Sequence, residues 1–298
     1  MRSSALGLIA LLAFVLCARA GEQQDQPVGI QYGEPVHLCA LQNQEITESS
    51  GIACSWLQKG VFWTHNDSGD TARIFAFDVK GRNLGVFAVE GAAARDWEDM
   101  ASFKVGRESY VVLADVGDNG AKRESCTICV VHEPAIGPQG VPPGAKARLA
   151  MAVEFRYEDG PHDCESVAVD PTTRVVYLIS KIVGPGARIY ALPLPEKKPG
   201  VPLVAKAIAS IDAPMVTAMD ISPDGLRAVV LTYGDAYEYV RKPKEQWSEA
   251  FAREPRLIRM PNRAQGESIC YGQDGKTLYL TSEKLPTPLW EVPVSEKQ

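Results

Sequence analysis

The chain has 298 residues, 31 basic and 37 acidic side chains, a formal net charge of −6 and 45% hydrophobic residues. The acidic balance disfavours a protein that binds nucleic acid across its surface, because phosphate backbones select for a basic face. Beyond residue 20 no segment approaches the roughly 20 consecutive apolar residues that a membrane-spanning helix needs, so an integral membrane protein is also disfavoured.

The first 20 residues are typical of a secretory signal peptide. Arg2 precedes an almost unbroken apolar run from Leu6 to Cys17, and Ala18-Arg19-Ala20 forms an A-x-A cleavage pattern. Cleavage there removes two of the 31 basic residues and no acid, so the mature chain has 29 basic and 37 acidic side chains and a net charge of −8. We expect a secreted or periplasmic protein with an N-terminal linker at residues 21–35.

Short β-rich segments, separated by Gly, Pro, Asp and Asn turns, fill the rest of the chain and fall into cycles of four. Only Glu245–Ala252 has the pattern of a helix of more than two turns. The predicted strands of the first two cycles are Gly51–Trp56, Val61–Thr64, Arg73–Phe77, Leu84–Val89, Met100–Val105, Tyr110–Ala114, Cys126–Val131 and Leu149–Phe155. Those of the last three cycles are Ser166–Val169, Val175–Ser180, Arg188–Leu192, Leu203–Ile211, Ala218–Ser222, Arg227–Thr232, Ala236–Val240, Arg256–Met260, Ser268–Gly272, Thr277–Thr281 and Pro288–Val292.

The last cycle ends one strand short, and Val36–Leu41 at the other end of the chain supplies the missing strand. Five cycles of four strands predict an all-β, five-bladed β-propeller in which the N-terminal strand completes the last blade. Such closure leaves no long unpaired sheet edge. We therefore expect one domain at residues 36–298; a β-sandwich is the alternative for a chain with many short strands.

Six cysteines remain after the signal peptide: Cys39, Cys54, Cys126, Cys129, Cys164 and Cys270. An even number in an exported chain permits disulfides, but the sequence does not give their pairing. The Cys126-Thr-Ile-Cys129 segment has the spacing of a metal-binding or redox pair, yet it lies in an apolar run, and residues three apart in a strand point to opposite faces. We expect these two cysteines to be buried and structural.

The turns that enter the first strand of each cycle carry an aligned polar position. Its members are Ser50, Glu98, Glu165, Thr217 and Glu267. In a propeller each of them begins an inner strand beside the axis, where three converging carboxylates repel one another unless a cation is present. An all-oxygen set without His or Cys suits a hard cation, and we expect Ca²⁺ rather than Mg²⁺.

The loops between second and third strands are expected on the same face as this ring, and loops at one end of a β scaffold commonly carry function. The polar residues of these loops and of the turns that enter the first strands supply candidates for an enzyme site. Asp67, Asp70 and Asp118 are candidate general bases, and His65 and His162 are candidate proton carriers or donors. The candidate substrate contacts are Arg95, Lys181, Lys284, Asn66 and Tyr233.

The sequence resembles a family of secreted bacterial propellers, some labelled phytase-like or esterase-like. The matching segments are Trp63-Thr-His-Asn-Asp-Ser-Gly-Asp70, Asp96-Trp-Glu98, Asp115-Val-Gly-Asp-Asn119, Asp159-Gly-Pro-His-Asp163, Ser222-Pro-Asp-Gly225 and Gln265-Gly-Glu-Ser268. The aligned ring also resembles that of the calcium-activated apyrases, five-bladed propellers that hold Ca²⁺ with Ser, Glu, Glu, Ser and Glu, with Thr217 here in place of the second Ser. The Arg of that family's first-blade turn is missing from Asn66-Asp67-Ser68-Gly69. The resemblance therefore implies the metal ring more strongly than it implies a nucleotide substrate.

Two functions follow as expectations. In the first, the protein is a monomeric Ca²⁺-dependent hydrolase of phosphate or other esters, with a glycosidase as a subordinate version. In the second, the axial Ca²⁺ is structural and the rim binds a carbohydrate, a peptide or a partner protein. The substrate is not identified by the sequence.

Overall fold

The computed structural model describes residues 30–138 and 140–295. The predicted signal peptide at residues 1–20 lies outside the described residues, as does most of the predicted linker at 21–35. The described end of that linker packs on the C-terminal segment: Tyr32 bridges Val294, and Gly33 N donates a hydrogen bond to Pro293 O at 2.8 Å.

The prediction of an all-β protein is confirmed, since the described residues form twenty strands and a single five-residue helix. The first strands in chain order are β1 (Val36–Ala40), β2 (Ser49–Cys54), β3 (Val61–Asn66), β4 (Arg73–Asp78), β5 (Asn83–Glu90), β6 (Trp97–Val105), β7 (Glu108–Asp115), β8 (Cys126–His132), β9 (Lys146–Tyr157) and β10 (Cys164–Val169). They are followed by β11 (Val175–Ser180), β12 (Ala187–Pro193), β13 (Leu203–Ile211), β14 (Val216–Ile221), β15 (Arg227–Thr232), β16 (Ala236–Val240), α1 (Trp247–Phe251), β17 (Arg256–Ile258), β18 (Ser268–Tyr271), β19 (Leu278–Thr281) and β20 (Pro288–Val292).

Antiparallel pairing groups these strands into five sets of four, which we number in chain order: set 1 (β2–β5), set 2 (β6–β9), set 3 (β10–β13), set 4 (β14–β17) and set 5 (β18–β20 with β1). The N-terminal strand pairs with the last strand, with Val36 opposite Glu291 and Ala40 opposite Pro288. The two ends of the described chain therefore meet within one set.

The first strands of the sets contact one another in a closed ring, in the order β2, β6, β10, β14, β18 and back to β2. These inner strands are buried over nearly their whole length, whereas outer strands such as β9 alternate between buried and exposed residues. Five apolar clusters fill the spaces between neighbouring sets. The ring and its wedges of core fix where the inner strands begin.

Short parallel pairings at the outer edge, which the sequence did not predict, join sets 1, 2 and 3 into one twelve-stranded sheet. Three residues of β5 pair with the start of β9, and three residues of β13 pair with its end. β9 is twelve residues long and reaches both neighbours.

The six cysteines of the described chain are free thiols. Cys126 packs in the apolar cluster between sets 2 and 3, while Cys129 packs in the cluster between sets 1 and 2. Their side chains therefore lie on opposite faces of β8, as the strand period requires, and they do not form half of a zinc site.

The one helix, α1, lies inside the segment where the sequence predicted it, and it buries Trp247 and Phe251. Among the described residues, no helix has the length and apolar character needed to cross a membrane.

Candidate functional site

The aligned ring position, which we call the hub, stands where the inner strands begin. In four of the five sets this position is the extra residue of a β-bulge: the register of the inner strand skips Ser50, Glu98 and Thr217, and shifts around Glu165. In set 5 Glu267 directly precedes the first ladder residue, Ser268. A β-bulge changes the direction in which a side chain leaves its strand. The repeated bulges therefore take these ring members out of the regular alternation of side chains along the strand.

All five hub residues are buried: Ser50 is 1% exposed, Glu98 3%, Glu165 6%, Thr217 0% and Glu267 5%. Such burial is costly for three carboxylates, since an ionised acid loses its hydration there. The hub therefore differs from a set of solvated loop acids.

Backbone hydrogen bonds place the predicted rim loops on the same face as the hub. The loop after the second strand bonds to the turn that enters the first strand of its own set, through Asp67 N to Glu48 O, Gly117 N to Asp96 O, Lys181 N to Asp163 O and Glu283 N to Gln265 O, at 2.9 to 3.2 Å. Polar groups on these loops are thereby held beside the hub.

Asp67, Asp96 and Glu98 form a carboxylate cluster in which one oxygen of each lies within 4.8 Å of the others. Burial, followed by the charges of Glu165 and Asp67, raises the pKa of Glu98 to about 11. Burial also raises the pKa of Asp67 to about 6, and it raises the pKa of Asp96 above its usual value. The three groups thus face one another without an ion pair in the described part of the chain, although the positive charges of Arg123 and Arg95 oppose the rise in the pKa of Asp96.

Gly117 makes room for this cluster. A Cβ atom at Gly117 would stand 2.5 Å from Asp96 Oδ2 and closer still to Glu98 Oε1. The glycine is needed for this close approach, not for a left-handed backbone conformation.

The other half of the hub is partly neutralised from within. Lys181 Nζ donates to Glu165 Oε1 and, at 3.1 Å, to Tyr233 Oη, and Tyr233 Oη donates to Glu267 Oε1 at 2.9 Å. The pKa of Glu165 is raised to about 7, because its burial outweighs the favourable contact with Lys181. Burial and a hydrogen bond with Glu267 raise the pKa of Glu283 to about 9, so Glu283 keeps its proton near neutral pH.

Two buried oxygens of the hub have no hydrogen-bond partner among the described residues, Ser50 Oγ and Glu165 Oε2. A buried polar atom without a partner is rare and usually needs an explanation such as an ion or water. Thr217 Oγ1 donates to Gly266 O at 2.8 Å, which leaves its lone pairs available. These oxygens and the carboxylate cluster fit the donor set of a hard cation.

The candidate bases differ in their surroundings. Asp67 belongs to the cluster, but Asp70 receives hydrogen bonds from Arg73 Nε at 2.9 and 3.0 Å and from Asn66 Nδ2 at 2.9 Å. Burial acts to raise the pKa of Asp70, yet these contacts hold it below its usual value. Asp118 accepts the backbone N–H groups of Lys122 and Arg123, each at 2.6 Å, and so organises its own loop.

Neither candidate histidine is a member of the carboxylate cluster. His65 is fully buried, its ring packs edge-on against Trp97 at 5.4 Å, and burial lowers its pKa. His162 is partly exposed and contacts Asp159 Oδ1 through Nε2 at 3.0 Å.

Of the candidate substrate contacts, Lys181 and Tyr233 stand at the hub as described. Arg95 and Lys284 are exposed rim residues and form no ion pair in the described part of the chain. Asn66 is buried and spans two loops, because its Oδ1 accepts Thr47 N and Glu48 N at 3.1 Å each.

Sequence reasoning did not select Asp96, Gly117, Glu283 or Arg263 for the site. Asp96 was detectable, since it is an acid in the same entering turn as Glu98, two residues earlier in the chain. Arg263 was not: it bonds to Gly234 O at 2.9 Å, and its side chain packs against Gly266 beside Glu267. Burial lowers the pKa of Arg263 to about 10.

No protein-family model and no curated protein matches the chain. Among solved structures, a gluconolactonase from Xanthomonas campestris is similar with 14% identity and a TM-score of 0.46, over 83% of this chain and 72% of that one. The PQQ-bound aldose sugar dehydrogenase of Streptomyces coelicolor is similar with 11% identity and a TM-score of 0.46, over 88% of this chain and 98% of that one. Neither is a phytase or an apyrase.

Proposed function

We propose that the protein is a secreted five-bladed β-propeller that binds a hard divalent cation, Ca²⁺, at its hub and uses it to hydrolyse uncharged esters. The five sets of four strands and the closed ring of inner strands support five blades. The observation that carries the metal is the cluster of Asp67, Asp96 and Glu98, whose oxygens converge within 4.8 Å and which forms no ion pair with any described side chain.

Asp96 and Glu98, on either side of the start of β6, would hold the cation with Ser50 Oγ, whose buried oxygen has no other partner in the described chain. Carboxylate and hydroxyl oxygens in a set that waters can complete favour Ca²⁺, which takes six to eight oxygen ligands. When bound, such a cation polarises a carbonyl oxygen as a Lewis acid.

The remaining chemistry falls to residues of the chain. Asp67, the member of the cluster that lies on the loop after β3, is the proposed general base. Its pKa of about 6 suits a group that accepts a proton from water at neutral pH. On the other side of the hub, Lys181 keeps one N–H beyond those given to Glu165 and Tyr233, and Tyr233 Oη, whose hydrogen goes to Glu267, keeps a lone pair that can accept a hydrogen bond. They would position the polar end of a substrate.

The charge of the hub favours an uncharged ester over a phosphate ester. The hub and the carboxylate cluster hold five acids, Asp67, Asp96, Glu98, Glu165 and Glu267, and the described side-chain cation that pairs with one of them is Lys181, at Glu165; the rim cations Arg95 and Lys284 form no ion pair with them. One divalent ion leaves this surface negative, and a negative surface lowers the local concentration of a phosphate dianion. We therefore propose carboxylic esters as the substrate class.

The test combines metal binding with turnover. Ca²⁺ should raise the melting temperature of the wild-type protein and appear in calorimetric titration, and Glu98→Gln should lower the affinity at least tenfold. Glu90→Gln, which alters an exposed acid paired with Lys146, should match the wild type. No thermal or calorimetric response to Ca²⁺ would remove the hub metal.

With Ca²⁺ bound, p-nitrophenyl acetate should be hydrolysed and p-nitrophenyl phosphate should not, and EDTA should abolish the activity. Asp67→Asn should reduce turnover at least a hundredfold, because a positioned base contributes about 10² to 10⁴ in rate. Ca²⁺ binding without turnover of any ester would favour the structural metal and a binding function instead.

A further inference from the structure

A cleft of about 420 Å³ opens beside the hub, between the rim loops of sets 2 and 3. Its volume lies within the 300–1,000 Å³ that small-molecule pockets usually have. The cleft is lined by Asn119, Ala121, His162, Asp163, Ser180, Lys181, Ile182, Val183 and Met215.

Lys181 connects this cleft to the hub, because the same side chain lines the cleft and donates to Glu165 and Tyr233. Two hydrogen bonds hold the walls in place: Asp118 N donates to Asp163 Oδ1 at 3.0 Å, and Met215 N donates to Ile182 O at 2.8 Å. A group bound in the cleft would thus be continuous with one bound at the hub.

One wall of the cleft is apolar and exposed. Ile182, Val183 and Met215 form it, and Val183 is 86% exposed, the largest value among the large apolar side chains of the described chain. Tyr233 and Leu285 continue this apolar character along the rims of sets 4 and 5, where they are 39% and 44% exposed. By contrast, the set 1 rim carries the polar run Asn66-Asp67-Ser68-Gly69-Asp70.

We propose that this cleft holds the acyl chain of the ester substrate and that the protein prefers alkanoyl esters longer than acetate. The inference rests on the proposed hydrolase function and assigns its substrate class: the carbonyl lies at the carboxylate cluster and the chain extends over Lys181 toward Val183. Burial of each methylene against the apolar wall favours the longer ester, at about fourfold per CH₂ for full burial.

The measurement is kcat/KM for the p-nitrophenyl acetate, butyrate, hexanoate and octanoate esters with Ca²⁺ present. For the wild type we expect a rise of about two- to fourfold per methylene as far as hexanoate. Val183→Asp should flatten this rise and leave acetate turnover within about twofold of the wild type. Val201→Asp is the matched control, since Val201 is 71% exposed in the β12–β13 connection, away from the cleft, and should keep the full slope.

Equal rates for all acyl lengths in the wild type, or equal slopes in Val183→Asp and Val201→Asp, would overturn the cleft assignment alone. A preference for polyhydroxylated esters over alkyl esters of equal length would also overturn it. If no ester is hydrolysed, acetate included, the proposed function fails and the cleft assignment fails with it. If acetate is hydrolysed but the rate does not depend on acyl length, the cleft assignment alone fails.

Discussion

Substitution of Gly117 by alanine tests the hub without removing any proposed ligand. A Cβ atom there stands 2.5 Å from Asp96 Oδ2, against 3.4 Å for ordinary contact, so this oxygen must move by about 0.9 Å and Glu98 Oε1 by more. Metal sites tolerate about 0.2 Å in their ligand distances. The two carboxylates can turn aside without backbone movement, and the fold should therefore survive while the site is lost.

The expected loss is at least tenfold in Ca²⁺ affinity, the lower end of what displaced supporting groups cost at metal sites. Each tenfold loss removes about 1.4 kcal/mol of the stabilisation that saturating Ca²⁺ provides. For a domain of this size that is a decrease of about 3–6 °C in the Ca²⁺-dependent gain in melting temperature.

The assay is a thermal melt in EDTA and in a Ca²⁺ series, with calorimetric titration for the dissociation constant. Gly120→Ala is the control in the same loop, because its Cβ would meet only the Lys122 side chain, at 3.5 Å. If both variants bind Ca²⁺ as the wild type does, Asp96 and Glu98 do not hold the ion in the arrangement that we propose.

Of three further predictions, two concern the charges of the hub and the third concerns the buried carboxyl of Asp99, the residue after Glu98. The pKa of Glu98 is about 11 in the folded protein without metal, against 4.5 ordinarily, so above pH 5 the folded state keeps a proton that the unfolded state releases. The free energy of unfolding of the metal-free protein should therefore fall between pH 5 and 9, by up to about 1.4 kcal/mol per pH unit. Ca²⁺ should reduce this slope and release a proton, which calorimetric titration in buffers of different ionisation enthalpy would measure. A pH-independent metal-free stability would contradict this. Lys181→Met should destabilise the metal-free protein by about 3 kcal/mol in urea melts, because it leaves Glu165 buried and unpaired, and unchanged stability would show that Glu165 stays neutral. Asp99→Asn should cost about 1–3 kcal/mol, since the Asp99 carboxyl accepts the N–H groups of Val167, Met219 and Met100; a neutral result in the same melts would refute that role.

The hub column was predictable from the sequence because its members recur once per cycle of strands, just before an apolar residue. The recurrence does not report where each side chain finds partners. Asp70 and Asp118 have the residue type of a general base, but Arg73 and two backbone N–H groups occupy them, and both sets of contacts depend on loop conformation. Turn-forming acids and catalytic acids are indistinguishable at that level.

The contacts between neighbouring sets could not be predicted from the sequence, for a related reason. The pattern within a strand gives its buried face but not the neighbour against which that face packs. The parallel pairing of β9 with β5 and β13, and the hydrogen bond from Arg263 to Gly234 O, both join segments that are far apart in the chain. Cys126 and Cys129 were different, because the period of the strand alone separates them.

The five ring positions are equivalent in the sequence repeat but not in the folded protein. A single cation, Lys181, engages Glu165, and Tyr233 ties it to Glu267, so this half of the hub is partly neutralised by the chain itself. In the half that contains Glu98 no described cation forms an ion pair with the acids, and there the cycle contributes an extra acid, Asp96, and a glycine in place of a side chain at 117. Charge that the protein does not balance internally must be balanced by protons or by a bound cation. The placement of Lys181 therefore leaves the Glu98 side of the ring for the proposed cation, and the cleft lies on the side of Lys181, which lines it.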